Sequence, residues 1–479
     1  MKPLFEVGRN CCWLGPVERS AVIVDAAAYY AAFYRAASLA TRHILIAGWQ
    51  FDSNVKLLRG EAARSARYPV EFLPFLNALC QERSELRVYI LAWDYSLVYS
   101  LEREWLQGLR FAFQSAKAIR FEFDAHPGFG GSHHQKFVVI DGALAFVGGL
   151  DLCEERWDDR GHATPHALRV DAAGEPCRPN HEVQAAVQGE AAMALQGLFI
   201  DRWQRAFGET LELDDPVATP LTNLDLPALD PGAVLPIRAP QLAIARTLPV
   251  ELGAVREVQL FMRAALLEAR QLIYIETQYF TSRSMSAALS ERLRRGDLPR
   301  LQVLVVLPRG ADNSKEKFAL GDVQNALLSE LSDVAREGGH ELRFFCSSVA
   351  GEACETSTFI HSKVLVVDDQ LLYVGSANMT ERSMTLDTEL CLLWQGEPAS
   401  ELGSDIRALR ASLLAEHSGQ PESELLEPDG LTGRLDAAIA AGTSRLRLTE
   451  LEPASINPFK LAIFDPGEPA TTAPTGVAE

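Results

Sequence analysis

An internal duplication limits the folds open to this chain more than any other feature of its sequence. Residues 134–154 (HQKFVVIDGALAFVGGLDLCE) align without a gap on residues 361–381 (HSKVLVVDDQLLYVGSANMTE), with eight identities in 21 positions. A second ungapped match joins residues 182–190 (EVQAAVQGE) to residues 389–397 (ELCLLWQGE). Unrelated segments would not share this order and spacing of apolar and polar residues, so we interpret the two halves of the chain as copies of one unit.

The copies also present the same secondary-structure elements in the same order. Each begins with an amphipathic helix, predicted over 25–42 and 255–270, and continues into an apolar strand, predicted over 43–51 and 272–280. Two further strands follow in each copy, at 86–93 and 119–123 in the first and at 301–308 and 342–346 in the second. This alternation predicts an α/β fold of two homologous halves, each a mixed β-sheet flanked by helices. We expect a pseudo-twofold to relate the halves, with the duplicated segments meeting at a cleft between them.

A proline-rich segment separates the copies. Seven of the 25 prolines lie in residues 211–250. Proline removes a backbone donor, so we predict that this segment is a surface linker without a core helix or a central strand. The domain division is then a first half over 1–210, the linker over 211–250, a second half over 251–465 and a mobile polar tail over 466–479.

The charge and the cysteines restrict the surroundings of the protein. With 45 Lys and Arg against 64 Asp and Glu, the formal net charge is −19, which argues against binding to nucleic acid by bulk charge. No stretch of eighteen residues is free of charged side chains, and the N-terminus lacks the pattern of a signal peptide. The eight cysteines are scattered without a C-x-x-C pair. These features predict a cytoplasmic protein with reduced cysteines and no transmembrane helix.

The polar residues of the duplicated segment follow the pattern H-x-K-x-x-x-x-D in both copies. The candidate catalytic residues are His134, Lys136, Asp141, His361, Lys363 and Asp368. Side chains two residues apart in a strand share a face, so each histidine and its lysine would be directed toward one point. Asp141-Gly142 and Asp368-Asp369 also suit tight hairpin turns, which leaves a structural role open for the aspartates. A core would have no need to retain histidine, lysine and aspartate together in both copies.

This duplicated motif, followed by Gly-Gly or Gly-Ser, resembles the phospholipase D superfamily. The first copy, SHHQKFVVIDGALAFVGGLDLCEERWDD with His162 beyond it, is particularly similar to phosphatidylcholine-hydrolysing phospholipases D of the eukaryotic type. The second copy, IHSKVLVVDDQLLYVGSANMTERSMTLDTE, and the strand IYIETQYF are equally typical. The likeness extends from about residue 24 to residue 400. Fewer than 25 residues precede the first helix, so we expect a compact, bacterial type of member without a regulatory lipid-binding module.

The resemblance also implies roles for the polar residues. Hydrolysis of a phosphodiester needs a nucleophile at phosphorus, a proton for the departing alkoxide and compensation of charge on the non-bridging oxygens. By resemblance, His134 is the nucleophile that forms a phosphohistidine, and His361 is the general acid and later the base that activates water. The symmetry of the copies leaves the opposite order open. Lys136 and Lys363 would bind the phosphoryl oxygens, with Asn378 as a further donor.

Other acidic residues are candidates to support the histidines. Glu182 and Glu389 occupy matching positions and would hold the second ring nitrogen of each histidine, although exposed strand-end charges are the alternative. Asp151 stands in the first copy where Asn378 stands in the second, and the first copy is about twenty residues longer between Asp151 and Glu182. No H-E-x-x-H or D-x-D accompanies the histidines, so we expect neither a metal nor another cofactor.

The expected activity is that of a phospholipase D, which cleaves the distal phosphodiester of phosphatidylcholine-like lipids to phosphatidic acid and free head group and transfers the phosphatidyl group to alcohols. Alternatives are a cardiolipin-synthase-type phosphatidyltransferase, a nuclease of the same superfamily, which the negative charge disfavours, and a binding protein with a relic site. The expected partners are a phospholipid at a membrane or micelle surface and water or a small alcohol as acceptor, with no nucleic acid. One chain holds both motifs, so we predict a monomer, which touches the bilayer through loop 125–132 with Phe129.

Overall fold

The computed structural model describes residues 3–94, 111, 114–125, 130–213, 219–309, 314–350, 355–451 and 465–467. Phe129 and residues 468–479 lie outside these ranges, so the membrane-contact and tail predictions stay predictions. Of the described helices, none combines the length and the apolarity needed to cross a lipid bilayer.

Helices and strands alternate along both halves. The helices are α1 (Ala26–Ala37), α2 (Gly60–Arg64), α3 (Phe72–Glu82), α4 (Glu190–Phe207), α5 (Glu257–Glu268), α6 (Arg283–Leu293), α7 (Ser314–Glu337), α8 (Glu381–Thr385), α9 (Glu401–Ser418), α10 (Glu422–Leu425) and α11 (Leu431–Ala440). The strands up to the linker are β1 (Trp13–Pro16), β2 (Ser20–Val24), β3 (His43–Gly48), β4 (Arg87–Trp93), β5 (Ile119–Asp124), β6 (Phe137–Ile140), β7 (Leu144–Gly148), β8 (Asn180–His181) and β9 (Val183–Gln188). The later strands are β10 (Val234–Pro236), β11 (Gln241–Leu248), β12 (Val255–Arg256), β13 (Leu272–Glu276), β14 (Gln302–Val306), β15 (Glu341–Ala350), β16 (Glu355–Ser357), β17 (Phe359–Ile360), β18 (Val364–Val367), β19 (Leu371–Gly375), β20 (Glu389–Gln395) and β21 (Leu446–Leu448).

The two large sheets repeat one strand order. The first runs β10-β2-β9-β7-β6-β3-β4-β5, and the second runs β1-β11-β20-β19-β18-β13-β14-β15-β16, with β12 beside β11 and β21 beside β15. In both, the strand after the first long helix is parallel to the next strand and antiparallel to the strand of the duplicated motif. The prediction of an α/β fold with two homologous halves is therefore confirmed.

The prediction for the proline-rich segment is wrong in one part. Residues 241–248 form β11, which lies between β1 and β20 inside the second sheet. Pro240 and Pro249 flank this strand and none of its own residues is proline, so every residue of β11 has an amide to donate. In addition, β1 from the N-terminus joins the second sheet, whereas β10 joins the first.

The core between the halves follows from the two-residue period of the strands. In β6, Phe137 and Val139 belong to an apolar cluster that both sheets share, whereas Val138 and Ile140 pack with α1 and α3. Val366 in β18 occupies the equivalent place on the shared side. Because the shared cluster lies between the sheets, the duplicated strands of the two halves face each other, and the segments that precede them meet at one edge of this core.

Candidate active site

The two H-x-K segments lie immediately before β6 and β18 and are bound to the opposite half. The amide of His134 donates to the carbonyl oxygen of Thr388 (3.0 Å), and the amide of His361 donates to the carbonyl oxygen of His181 (3.0 Å). The parallel pairing of β17 with β8 extends the second contact. Each motif segment is therefore attached to the residue that precedes a glutamate of the other copy.

Two histidine–glutamate pairs consequently cross between the halves. His134 Nδ1 lies 3.0 Å from Glu389 Oε2, and His361 Nδ1 lies 2.6 Å from Glu182 Oε1. Both glutamate side chains are fully buried, whereas the side chains of His134 and His361 are 18% and 11% exposed. The first contact is a hydrogen bond, whereas the second is a close approach whose atoms are not in hydrogen-bond geometry. A carboxylate beside Nδ1 favours a proton on that nitrogen and leaves Nε2 of the ring for chemistry.

The lysines of the two motifs have different partners. Lys136 Nζ lies 2.8 Å from Asp151 Oδ2 and 5.7 Å from the ring centroid of Trp49. Lys363 Nζ donates to the carbonyl oxygen of His361. Asn378, which stands where the first copy has Asp151, is buried, and its side-chain oxygen has no hydrogen-bond partner among the described residues. Among the residues that the structure describes, Lys136 thus forms an ion pair with a carboxylate of its own copy, and Lys363 does not.

This difference is reflected in the titration of the second copy. Burial is the main cause that lowers the pKa of Lys363 to about 7. The negative charges of Glu182 and Glu389 oppose this shift, and the positive charges of Lys136 and Arg156 contribute to it. Burial, followed by the charges of Lys363 and Arg156, also holds the pKa of His361 well below its usual value. Burial raises the pKa of Glu182. The site therefore has more positive charge than its buried environment favours, and it is suited to a bound anion.

Asp141 and Asp368 lie at the far ends of β6 and β18 from the lysines. Asp141 accepts hydrogen bonds from the amides of Thr41 (2.7 Å), Arg42 (2.9 Å) and His43 (3.0 Å). Asp368 makes the same contacts with the amides of residues 270, 271 and 272, at 2.8, 2.8 and 2.9 Å. Both have positive φ, at 53° and 56°, in the hairpin turns. The structure does not bring them to the histidines; they brace the start of β3 and of β13.

A small residue at the end of β7 keeps space for the second lysine. A Cβ atom on Gly149 would lie 3.1 Å from Lys363 Cδ and 3.4 Å from Glu182 Oε2. Its counterpart is Ser376, whose hydroxyl donates to Glu389 Oε2 (2.5 Å). The two glutamates thus have different neighbours at this position. Glu182 lies beside a glycine that leaves room for Lys363, whereas Glu389 accepts a hydrogen bond from Ser376.

Two residues near the site are absent from the sequence-based candidates. Arg156 belongs to the segment that makes the first copy longer; its guanidinium lies 5.7 Å from the ring centroid of Phe359, and its charge acts on His361. His133 is buried, with Nε2 2.8 Å from Asp124 Oδ2 and Nδ1 3.0 Å from Thr388 Oγ1. The extra length of the first copy is the sequence feature that could have indicated Arg156. No sequence feature distinguishes the supporting role of His133 from that of the neighbouring His134.

Comparison with known families places both motifs inside matches. A family model described as "Phospholipase D" matches residues 36–222, and one described as "Cardiolipin synthase, PLD-like domain" matches residues 262–408. Phospholipase D alpha 1 of Carica papaya is 24% identical over 522 residues, which cover 81% of this chain and 64% of the relative. Phospholipase D A of Dictyostelium discoideum is 25% identical over 436 residues, which cover 78% of this chain and 32% of the relative. The chain spans less than two thirds of the length of these relatives.

A solved structure has a similar overall arrangement. Phosphatidylserine synthase of Haemophilus influenzae Rd KW20 superposes with a TM-score of 0.53 and 14% identity, covering 90% of this chain and 94% of that chain. At this identity the likeness concerns the fold alone, and it extends through both halves.

Proposed function

Because this chain belongs to the phospholipase D superfamily, we propose that it cleaves the distal phosphodiester of phosphatidylcholine-like glycerophospholipids to phosphatidic acid and free head group. The observation that carries the proposal is the reciprocal pair of histidine–glutamate contacts between the halves, with a lysine beside each histidine. This arrangement provides two imidazoles, each with a buried carboxylate beside Nδ1, and two cations for one phosphoryl group.

In the first step, Nε2 of His134 attacks phosphorus and the bond from phosphorus to the head-group oxygen breaks. Glu389 compensates the positive charge that develops on the His134 ring as the N–P bond forms. His361 gives its Nε2 proton to the departing alkoxide. Lys136 and Lys363 bind the non-bridging oxygens.

His361 must carry a proton before it can act as the acid. In the free site, burial and neighbouring cations oppose that proton. A bound phosphodiester brings a negative charge among Lys136, Lys363 and Arg156, which favours the protonated forms of both Lys363 and His361. Substrate binding is therefore coupled to proton uptake, which converts His361 into its protonated, acidic form.

In the second step, neutral His361 takes a proton from water as the water oxygen attacks phosphorus, and the N–P bond to His134 breaks. The products are phosphatidic acid and the regenerated histidine. An alcohol in place of water gives a phosphatidyl alcohol by the same route, so transfer accompanies hydrolysis.

The test is incubation with phosphatidylcholine in mixed micelles containing ethanol, with choline and phosphatidylethanol both measured. We expect both products from the wild type and from a His166→Ala control, and neither from His134→Ala. If the wild type forms neither product and cleaves single-stranded DNA, the protein is a nuclease. Full activity of the His134→Ala variant would contradict the covalent mechanism.

A further inference from the structure

A second cluster of histidines and carboxylates lies between the halves, behind the active site. Asp25 precedes α1, His162 lies in the extra segment of the first copy, His181 belongs to β8, and Glu416 lies near the end of α9. All four are buried, and one nitrogen or oxygen atom of each lies within 4.8 Å of the other three. His181 immediately precedes Glu182, so the cluster adjoins the carboxylate that holds His361.

The nitrogen and oxygen atoms of this cluster lie close enough together to surround one metal ion. Glu416 Oε1 lies 2.5 Å from His181 Nδ1 and 3.0 Å from His162 Nε2. Asp25 has its Oδ1 3.2 Å from His181 Nδ1 and its Oδ2 3.8 Å from His162 Nε2. Nitrogen and oxygen ligands about 2.0–2.1 Å from zinc in a tetrahedron lie about 3.3 Å apart. The separations of 3.0, 3.2 and 3.8 Å are near that value, whereas the hydrogen-bonded pair of His181 and Glu416 is shorter and would have to open to admit an ion.

The outer nitrogens of both histidines are held as they are in metal sites. His162 Nδ1 lies 2.9 Å from Asp158 Oδ2, and Arg169 holds the other oxygen of Asp158 at 2.7 Å. His181 Nε2 lies 3.0 Å from Glu276 Oε2. A carboxylate behind each imidazole fixes the tautomer and directs the inner nitrogen toward a cation.

The charges of the enclosure require two positive charges at its centre. The four carboxylates of the cluster and its surroundings belong to Asp25, Asp158, Glu276 and Glu416, while Arg160 and Arg169 bind Glu416 and Asp158. His417, the remaining histidine here, donates from Nε2 to Glu276 Oε1 (3.1 Å). Two uncompensated negative charges are left, which either two protonated histidines or one divalent cation would neutralise.

One oxygen favours the cation. Asp25 Oδ2 is buried and has no hydrogen-bond partner among the described residues, although buried carboxylate oxygens are normally satisfied. As a metal ligand this oxygen would be satisfied.

We propose that Asp25, His162, His181 and Glu416 bind one structural divalent transition-metal ion, and that zinc is the ion they fit. Two imidazole nitrogens and two carboxylate oxygens in a closed site give the four-coordinate geometry of structural zinc. The ion binds the extra segment of the first copy, which carries Arg156, to α9 of the other half. It does not touch substrate, and the proposal does not depend on the reaction that the active site performs. The proposed ion has a structural role, and to that extent it replaces the expectation of a protein without metal.

The test uses untagged full-length protein purified without chelator and analysed for metal by mass spectrometry. We expect one zinc per chain in the wild type and in a His166→Gln control, because His166 lies in the same loop with Asp159 and outside the cluster. We expect less than one tenth of that content in Asp25→Asn and His162→Gln. Removal of zinc with 1,10-phenanthroline should lower the melting temperature of the wild type by several degrees, and added cobalt should restore it with the intense visible absorption of tetrahedral cobalt.

Several results would overturn the proposal. The first is wild-type protein that holds less than one tenth of an equivalent of metal after incubation with zinc and has the same melting temperature with and without chelator. This result would show that protons, and not a metal ion, neutralise the cluster. Zinc that persists in both folded variants would lie elsewhere in the chain. Where the variants do not fold, the wild-type metal content and the cobalt spectrum decide the question.

Discussion

Glu389→Gln is the substitution that most directly tests how the two halves cooperate. The glutamine keeps the shape of a fully buried side chain whose oxygen lies 3.0 Å from His134 Nδ1. It removes the negative charge, and its amide group can donate to Nδ1, which moves the ring proton to Nε2 and blocks the attacking atom. The residue lies in the opposite half from the histidine it affects.

The size of the effect follows from the charge that His134 gains in the first step. Opposite unit charges about 4 Å apart interact by about 4 kcal/mol at an effective dielectric constant of about 20. Loss of this interaction in the transition state alone corresponds to a fall in kcat of about 10³-fold. We expect the same fall for Glu182→Gln on phosphatidylcholine, because His361 Nδ1 lies 2.6 Å from Glu182.

The leaving group separates the roles of the two histidines. Phosphatidyl-p-nitrophenol needs no proton on its departing phenolate, so the burst of p-nitrophenol in Glu182→Gln should approach the wild-type rate. Glu389→Gln should be impaired on this substrate as severely as on phosphatidylcholine. Glu397→Gln, beyond the other end of β20 and exposed, is the matched control and should behave as wild type.

Two outcomes would contradict this reasoning. If folded Glu389→Gln and Glu182→Gln, checked by thermal melting, keep kcat within threefold of the wild type, the carboxylates do not set the state of the histidines. If the p-nitrophenol burst recovers in Glu389→Gln and fails in Glu182→Gln, His361 is the nucleophile and His134 the acid.

Three further predictions concern binding, stability and the membrane. The pKa of Lys363 is about 7 in the free site and a bound anion raises it, so the affinity for dibutyl phosphate should fall above pH 7 by up to about tenfold per pH unit. The Lys363→Arg variant should flatten this pH dependence, whereas the exposed control Lys117→Arg should retain it. A wild-type affinity that does not change with pH would refute the prediction. Asp141→Asn should lower the free energy of unfolding in urea by about 2 kcal/mol and change kcat less than threefold, since the side chain binds three amides; a large loss of kcat in the folded variant would give Asp141 a catalytic role. Phe129→Asp should reduce co-sedimentation with phosphatidylcholine vesicles, and unchanged binding would exclude loop 125–132 as the membrane contact.

The order of helices and strands along the chain was predictable because it follows from local patterns that occur twice. Each predicted helix and strand of the two copies overlaps an observed element, and the turns at Asp141 and Asp368 join the hairpins β6–β7 and β18–β19. The proline content of residues 211–250 as a whole conceals β11, because this strand occupies the proline-free stretch between Pro240 and Pro249. Propensity averaged over a long window conceals a short strand with proline at its borders.

Contacts across the copies could not be predicted from a symmetric sequence. Glu182 and Glu389 occupy equivalent positions, so either could serve the histidine of its own copy or that of the other. The choice depends on the pairing of β8 with β17, a contact between two-residue strands. The cluster of Asp25, His162 and Glu416 is harder still to foresee, because its members lie far apart in the chain and outside the duplicated segments.

In the proposed mechanism, reciprocal pairing makes the activity depend on the interface between the halves. The carboxylate beside each motif histidine belongs to the other half, since Glu389 lies beside His134 and Glu182 lies beside His361. The apolar cluster that both sheets share brings the pairs together, and the Asp25–Glu416 cluster spans the same boundary immediately behind Glu182. A shift of one half against the other would separate both pairs at once, because each motif segment is also bonded to the opposite backbone. We therefore expect the proposed chemistry of both histidines to require that the two copies are assembled as in this structure.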